Sequence, residues 1–206
     1  MSTHCPFVSF QRERSYQELY MSNNSHDNEV ATIASGFFWC SEAVFRRVRG
    51  VKSVLPGYSG GKIENPSYDK VCGGNTGHAE AIQIVFDPKV ITFKKLLEIF
   101  WHTHDPTTLN RQGNDVGTQY RSAIFFHNQS QKEIAEKLKA EIDKERLYAD
   151  PIMTEISPLR NFYVAEEYHR NYYEDHKDAP YCNIVISTKI TSLLRKYRND
   201  VKEKYV

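Results

Sequence analysis

The chain has 206 residues, 40% hydrophobic and 26% charged, with a formal net charge of +1. That length fits one domain with a sizeable core, and the balanced charge gives no basis for a nucleic-acid footprint. No apolar run approaches the ~20 residues of a membrane-spanning helix.

In chain order, Met1 to Asn28 is polar and rich in Ser, Asn and charge, without the apolar stretch of a secretory signal. A flexible extension is expected over residues 1–29. Val30 to Ser35 reads as a strand, Cys40 to Arg49 as a short helix, and Val51 to Tyr58 as a second strand ending at the turn Gly57-Tyr58-Ser59-Gly60-Gly61. Residues 61–77, rich in Gly, Asn, Ser and Pro, read as a long functional loop. His78 to Phe86 alternates and stops at Asp87-Pro88, a strand pattern. Phe93, Leu96, Leu97, Phe100 and Trp101 place a helix over Thr92 to His102. After a polar loop over 103–118, a strand is expected from Gln119 to His127. A helix follows from Gln129 to Tyr148, with Ile134, Leu138 and Ile142 on one stripe. Met153 to Ser157 reads as a short strand, Ala165 to Asp175 as a short aromatic-rich helix, and Ile190 to Lys204 as a basic helix. Irregular interleaving of strands and helices points to an α+β, two-layer α/β domain over 30–176, followed by a partly helical C-terminal tail over 177–206.

The chemistry centres on Gly36-Phe37-Phe38-Trp39-Cys40, where a strand gives way to a helix. A thiol near a helix start is favoured as thiolate by the unpaired N–H groups there. Flanking aromatics make such a site a dry slot. Tyr58, Glu80, Asp115 and Tyr120 each lie near a strand–loop junction from which they could face Cys40. A carboxyl in such a pocket stays protonated through desolvation and acts as a general acid. The four cysteines, Cys5, Cys40, Cys72 and Cys182, are scattered without metal-ligand spacing, which favours free thiols in a reducing cytoplasm over a disulfide framework. His102, His104 and Asp105, and the single Glu166-x-x-His169, are weak metal signals and read as structural.

Four ordered motifs carry a resemblance: Gly36-Phe37-Phe38-Trp39-Cys40, Gly57-Tyr58-Ser59-Gly60-Gly61, Gly77-His78-Ala79-Glu80-Ala81, and Asp115-Val116-Gly117-Thr118-Gln119-Tyr120-Arg121-Ser122. With Phe86-Asp87-Pro88, His104-Asp105-Pro106-Thr107 and Ala165-Glu166-Glu167-Tyr168-His169, the chain resembles peptide methionine sulfoxide reductases of the A type over about residues 30 to 175. The resemblance implies a ferredoxin-like core with a mixed sheet and long functional loops. It also implies reduction of methionine S-sulfoxide, protein-bound and free, through a cysteine sulfenic acid. A second cysteine then forms a disulfide that thioredoxin or another dithiol reduces, with no bound cofactor and no metal.

Carried over by motif, Glu80 is the acid, Tyr58 and Tyr120 the oxygen donors, Phe38 and Trp39 the methyl cage, and Asp115 a supporting group. The family's nucleophile directly follows the glycine, and Phe37 holds that position, so the role passes to Cys40 one turn on. Cys182, in the C-terminal segment, and Cys72, in the loop before Glu80, both remain as resolving thiols. The alternative is a non-catalytic sulfoxide-binding module. The expected partners are oxidised proteins, free methionine sulfoxide and thioredoxin, with no nucleic acid and no membrane, for a cytoplasmic monomer.

Overall fold

The computed structural model describes residues 27–206, so Cys5 and nearly all of the expected N-terminal extension lie outside the described residues. The elements run β1 (Glu29–Ser35), α1 (Phe38–Arg46), β2 (Val51–Ser59), α2 (Tyr68–Cys72), β3 (Ala79–Phe86) and α3 (Phe93–His102). They continue with β4 (Arg111–Gln112), β5 (Asp115–Val116), β6 (Ser122–Phe126), α4 (Gln129–Lys144), β7 (Glu155–Pro158), β8 (Phe162–Val164), α5 (Tyr172–Asp175) and α6 (Ser187–Tyr197).

The main sheet has the order β7-β6-β1-β3-β2-β8, and β4 and β5 form a separate ribbon. Every pairing in the main sheet is antiparallel except β6 with β7, so the sheet is mixed. Its inner strands, β6-β1-β3-β2, with α1 linking β1 to β2 and α3 lying between β3 and β6, make a ferredoxin-like βαββαβ unit. Successive strand side chains face opposite ways, so Glu80 shares the helix-covered face of β3 with Ile82, Ile84 and Phe86. Those three residues join Phe45, Leu97, Phe100 and Trp101 in the main core. The other face, where Ala79 and Ala81 meet Phe125, is covered by Leu159 and Phe162.

The long helices follow their apolar stripes and caps. Thr92 Oγ1 accepts the Lys95 N–H at 3.2 Å to start α3, and Asn128 Oδ1 accepts the Gln131 N–H at 2.9 Å to start α4. Helix α4 stops at Lys144, short of Tyr148, and the chain turns through left-handed Arg146 (φ 51°). The expected loop over 61–77 contains α2, and the one over 103–118 contains the β4–β5 ribbon. The strand expected from Gln119 begins at Ser122, because Thr118–Tyr120 coils as a 3-10 turn. The helix expected over Ala165 to Asp175 is broken into a 3-10 turn (Glu167–His169) and α5, with left-handed Asn171 (φ 54°) between them. Strand β8 has no counterpart in the sequence reading.

The C-terminal segment is built into the core. A π-helical turn (Cys182–Ile186) leads into α6, which begins and ends earlier than the helix expected over Ile190 to Lys204. Leu193, Tyr197 and Val201 are buried, Val201 bridges to Val48, and Tyr197 Oη donates to the Glu98 carbonyl at 3.2 Å. Leu193 is fully buried, so Leu193→Ala is expected to lower the unfolding free energy by about 2–5 kcal/mol. Urea denaturation checks this; a loss within error of zero would mean the segment contributes nothing to the core.

Candidate functional site

Gly36 ends β1 with φ +86°, and a Cβ there would lie 2.6 Å from Gln112 Cγ, so the turn needs glycine. Phe37 follows in extended conformation at the N-cap of α1, and its side chain offers no hydrogen-bond acceptor. Glu80 supplies one from β3: its Oε2 accepts the Phe38 N–H at 3.2 Å. The carboxyl is fully buried, and its Oε1 has no hydrogen-bond partner among the described residues. Burial pushes the Glu80 pKa up to about 8; the Phe38 amide restrains the rise, and the charge of Asp115 adds to it. Glu80 is therefore largely a neutral acid at pH 7.

Helical residues two apart point roughly 200° away from each other, so Phe38 and Cys40 face opposite sides of α1. Phe38 is fully buried against Tyr58 (ring centroids 5.8 Å apart) and Tyr68 (6.3 Å). Cys40, 1% exposed, sits with Ala43, Cys182, Ile186 and Ile190 in a cluster under the C-terminal segment. Its Sγ lies 3.5 Å from Tyr181 Oη, which donates to Asp115 Oδ2 at 3.0 Å. Burial pushes the Cys40 pKa up; Lys189 and the Tyr181 hydroxyl oppose the rise, and Asp115 and Glu80 reinforce it.

Phe37 is the hub of the aromatic wall. Its ring lies 4.2 Å from Trp39, 5.5 Å edge-on from Tyr181 and 6.4 Å edge-on from Tyr120. Trp39 stacks on Tyr172 at 3.3 Å, and its Nε1 donates to His169 Nδ1 at 3.0 Å. Burial lowers the His169 pKa to about 4, which keeps the ring a neutral acceptor at pH 7. Tyr58 Oη donates to Glu166 Oε2 at 2.7 Å, and Glu166 Oε1 accepts the Tyr68 N–H at 2.8 Å. Burial and then Glu166 raise the Tyr58 pKa far above its usual value. Tyr120 is half-buried, with its pKa pushed up to about 12 by burial and then by Glu80, so it remains an O–H donor.

The structure thus brings Glu80, Phe38, Tyr58 and Tyr120 to the sheet side of α1. Cys40, Asp115 and Cys182 gather on the side covered by the C-terminal segment. Cys72 is exposed at the end of α2, beside the Tyr68 hydroxyl, and its carbonyl accepts from Gln119 Nε2 at 3.3 Å. Glu166 and His169, expected to be structural, brace the site through hydrogen bonds, whereas Tyr172 and Tyr181 had no role expected from the sequence. The motif containing Glu166 and His169, and the position of Tyr181 beside Cys182, were the available signals.

His104 bonds the Phe100 carbonyl and Ser122, and His102 bonds the Glu98 carbonyl and Tyr197. No group of three or more His, Cys, Asp or Glu that could hold a metal occurs among the described residues. Among them, no helix is long and apolar enough to cross a membrane.

A family model described as peptide methionine sulfoxide reductase matches residues 29–202. A relative named peptide methionine sulfoxide reductase MsrA, from Saccharolobus solfataricus, is 52% identical over 174 residues, covering 84% of this chain and 97% of its own. The crystal structure of reduced Mxr1 from Saccharomyces cerevisiae superposes with TM-score 0.71 at 36% identity, covering 77% of this chain and 91% of that one. The same yeast protein in complex with Trx2 gives TM-score 0.51 at 27% identity, covering 72% of this chain and 87% of that one.

The Glu80 pKa rises on folding from 4.5 to about 8. Its neutral form therefore stabilises the fold fully below pH 4.5, and that contribution is lost as pH rises through about 8. Glu80→Gln, which cannot ionise, is expected to gain stability relative to wild type between pH 6 and pH 9 in denaturant titrations. A pH-independent difference would place the ionisation elsewhere.

Proposed function

The chain belongs to the peptide methionine sulfoxide reductase family, and from that premise we propose a mechanism with Cys40 as its thiol. The substrate is methionine S-sulfoxide, in proteins and free. Cys40 attacks the substrate sulfur, Glu80 delivers its proton to the sulfoxide oxygen, and Tyr120 donates a second hydrogen bond to that oxygen. The substrate sulfur–oxygen bond then breaks as the hydroxyl passes to the Cys40 sulfur, whose own proton returns to Glu80; methionine leaves, and Cys40 carries the oxygen as sulfenic acid. A second thiol attacks that sulfur with loss of water, and an external dithiol reduces the resulting disulfide by exchange. Cys182 is preferred for the second thiol because it shares the buried cluster of Cys40; exposed Cys72 is the other candidate.

The observation that carries the reading is Glu80, a buried acid with one unpartnered oxygen, bonded to the Phe38 amide at the start of α1. Cys40 lies on the other side of that helix, beneath the C-terminal segment, so the reaction requires its sulfur to turn towards Glu80. Phe38 and Trp39 supply an apolar wall for the substrate methyl. Tyr58 acts through Glu166, fixing the wall behind Phe38 and Tyr68. Because Tyr181 covers the Cys40 sulfur, attack requires its ring to swing aside, and Asp115 holds that ring in the resting state.

The yeast protein solved with Trx2 supports thioredoxin as the reductant. Cys40, Cys72 and Cys182 are free thiols, the state from which the proposed chemistry starts and the one a reducing cytoplasm maintains. The reported relatives carry reductase or Mxr1 names, and none favours a non-catalytic module.

Cys40→Ser is expected to reduce turnover of a methyl sulfoxide to background while leaving the unfolding midpoint in place; unchanged turnover would remove Cys40 from the mechanism. Phe37→Cys combined with Cys40→Gly is expected to raise turnover several-fold, since it sets a thiol directly after Gly36. No gain would show that the aromatic hub does not limit the reaction.

A further inference from the structure

At the opposite end of α1 from Cys40 lies a strongly basic cavity of about 220 Å³. Arg46 from the last turn of α1, Lys52 and Ser53 from the start of β2, and Lys202, Lys204 and Tyr205 from the C-terminal end line it, and no carboxylate does. Arg46 pairs with Glu42 at 3.2 Å and Lys52 with Asp87 at 3.2 Å, so two of the four cations are offset. Lys202 and Lys204 have no ion-pair partner among the described residues.

The helix end explains part of this charge. Lys202 Nζ donates to the Arg46 carbonyl at 2.8 Å, a favourable position for a cation. A helix C-terminus, however, carries only about half a negative charge, against two uncompensated lysines. Ser53 Oγ is buried with no hydrogen-bond partner and lines the same cavity. Burial and the charges of Lys204, Arg46 and Lys52 push the Lys202 pKa down to about 8, so these cations repel one another in the free protein. A bound anion reverses that repulsion.

We propose that this cavity binds a phosphate dianion, either free or as the end of a small phosphomonoester. Lys202, Lys204 and Arg46 supply charge and Ser53 supplies a hydroxyl donor. Two unpaired cations match a dianion better than a single carboxylate, and tetrahedral oxygens suit donors arriving from three separate segments. The site is separate from the thiol chemistry and does not depend on which cysteine attacks sulfoxide.

Because phosphate also stabilises proteins by exclusion from their surfaces, binding is read directly by ³¹P NMR at constant ionic strength. Inorganic phosphate and glycerol phosphate are titrated separately into the full chain. Saturable binding is expected, weakened roughly tenfold or more by Lys204→Met or Lys202→Met and more modestly by Ser53→Ala. Lys204 is exposed, so its variant keeps the test valid should loss of the Lys202 cap impair folding. Tighter binding of the ester identifies a metabolite, and equal or weaker binding identifies free phosphate. Non-saturating signals with both probes, or affinities unchanged in the Lys204 and Ser53 variants, would overturn the proposal.

Discussion

One hydrogen bond joins the two layers where chemistry is expected: the buried carboxyl of Glu80 takes the first helical amide of α1, that of Phe38. Phe37 at the N-cap has no side-chain oxygen to do so. The strand therefore supplies the cap that the helix lacks, and the helix supplies, among the described residues, the only hydrogen bond to a carboxyl fully removed from water. Because one amide only partly offsets desolvation, the group keeps its proton near neutrality. Structure and acid chemistry come from the same contact.

The direction of α1 then divides the site. Phe38 turns towards Tyr58 and Tyr68, whereas Cys40 turns towards Tyr181, Cys182 and the segment leading into α6. Phe37 stands at the junction, touching Trp39, Tyr120 and Tyr181. A carboxylate–tyrosine pair, Glu166 with Tyr58, and an indole–imidazole pair, Trp39 with His169, brace the aromatic wall from behind. The C-terminal segment is thus a wall of the site as well as part of the core.

Elements with strong periodicity were legible from the residues. Strand β3 stands out through alternation ending at Asp87-Pro88, and α3 through Phe93, Leu96, Leu97, Phe100 and Trp101. Segments held by tertiary contacts were not legible. Strand β8 has only three residues and exists because Phe162 and Tyr163 pair with β2. At the break, left-handed Asn171 turns its amide to buried Glu42, a contact between distant parts of the chain. At the site, the motifs located Glu80, Tyr58, Tyr120 and Phe38, since strand ends fix where such side chains start. The same motifs could not indicate that Tyr58 serves Glu166, or that Asp115 serves Tyr181, because those partners lie 108 and 66 residues away. The sulfur's surroundings were equally hidden: the helix begins at Phe38, and the cover over Cys40 comes from residues near the other end of the chain.

The central claim is that the sulfur of Cys40 receives the oxygen of the substrate. It is tested most directly by adding one equivalent of methionine S-sulfoxide to the fully reduced chain without any reductant, then locating the oxidised residue by peptide mass spectrometry. The account predicts one equivalent of methionine released, with Cys40 recovered as a sulfenic acid adduct or in a disulfide. Methionine released with Cys40 still reduced, or no methionine at all, would contradict it.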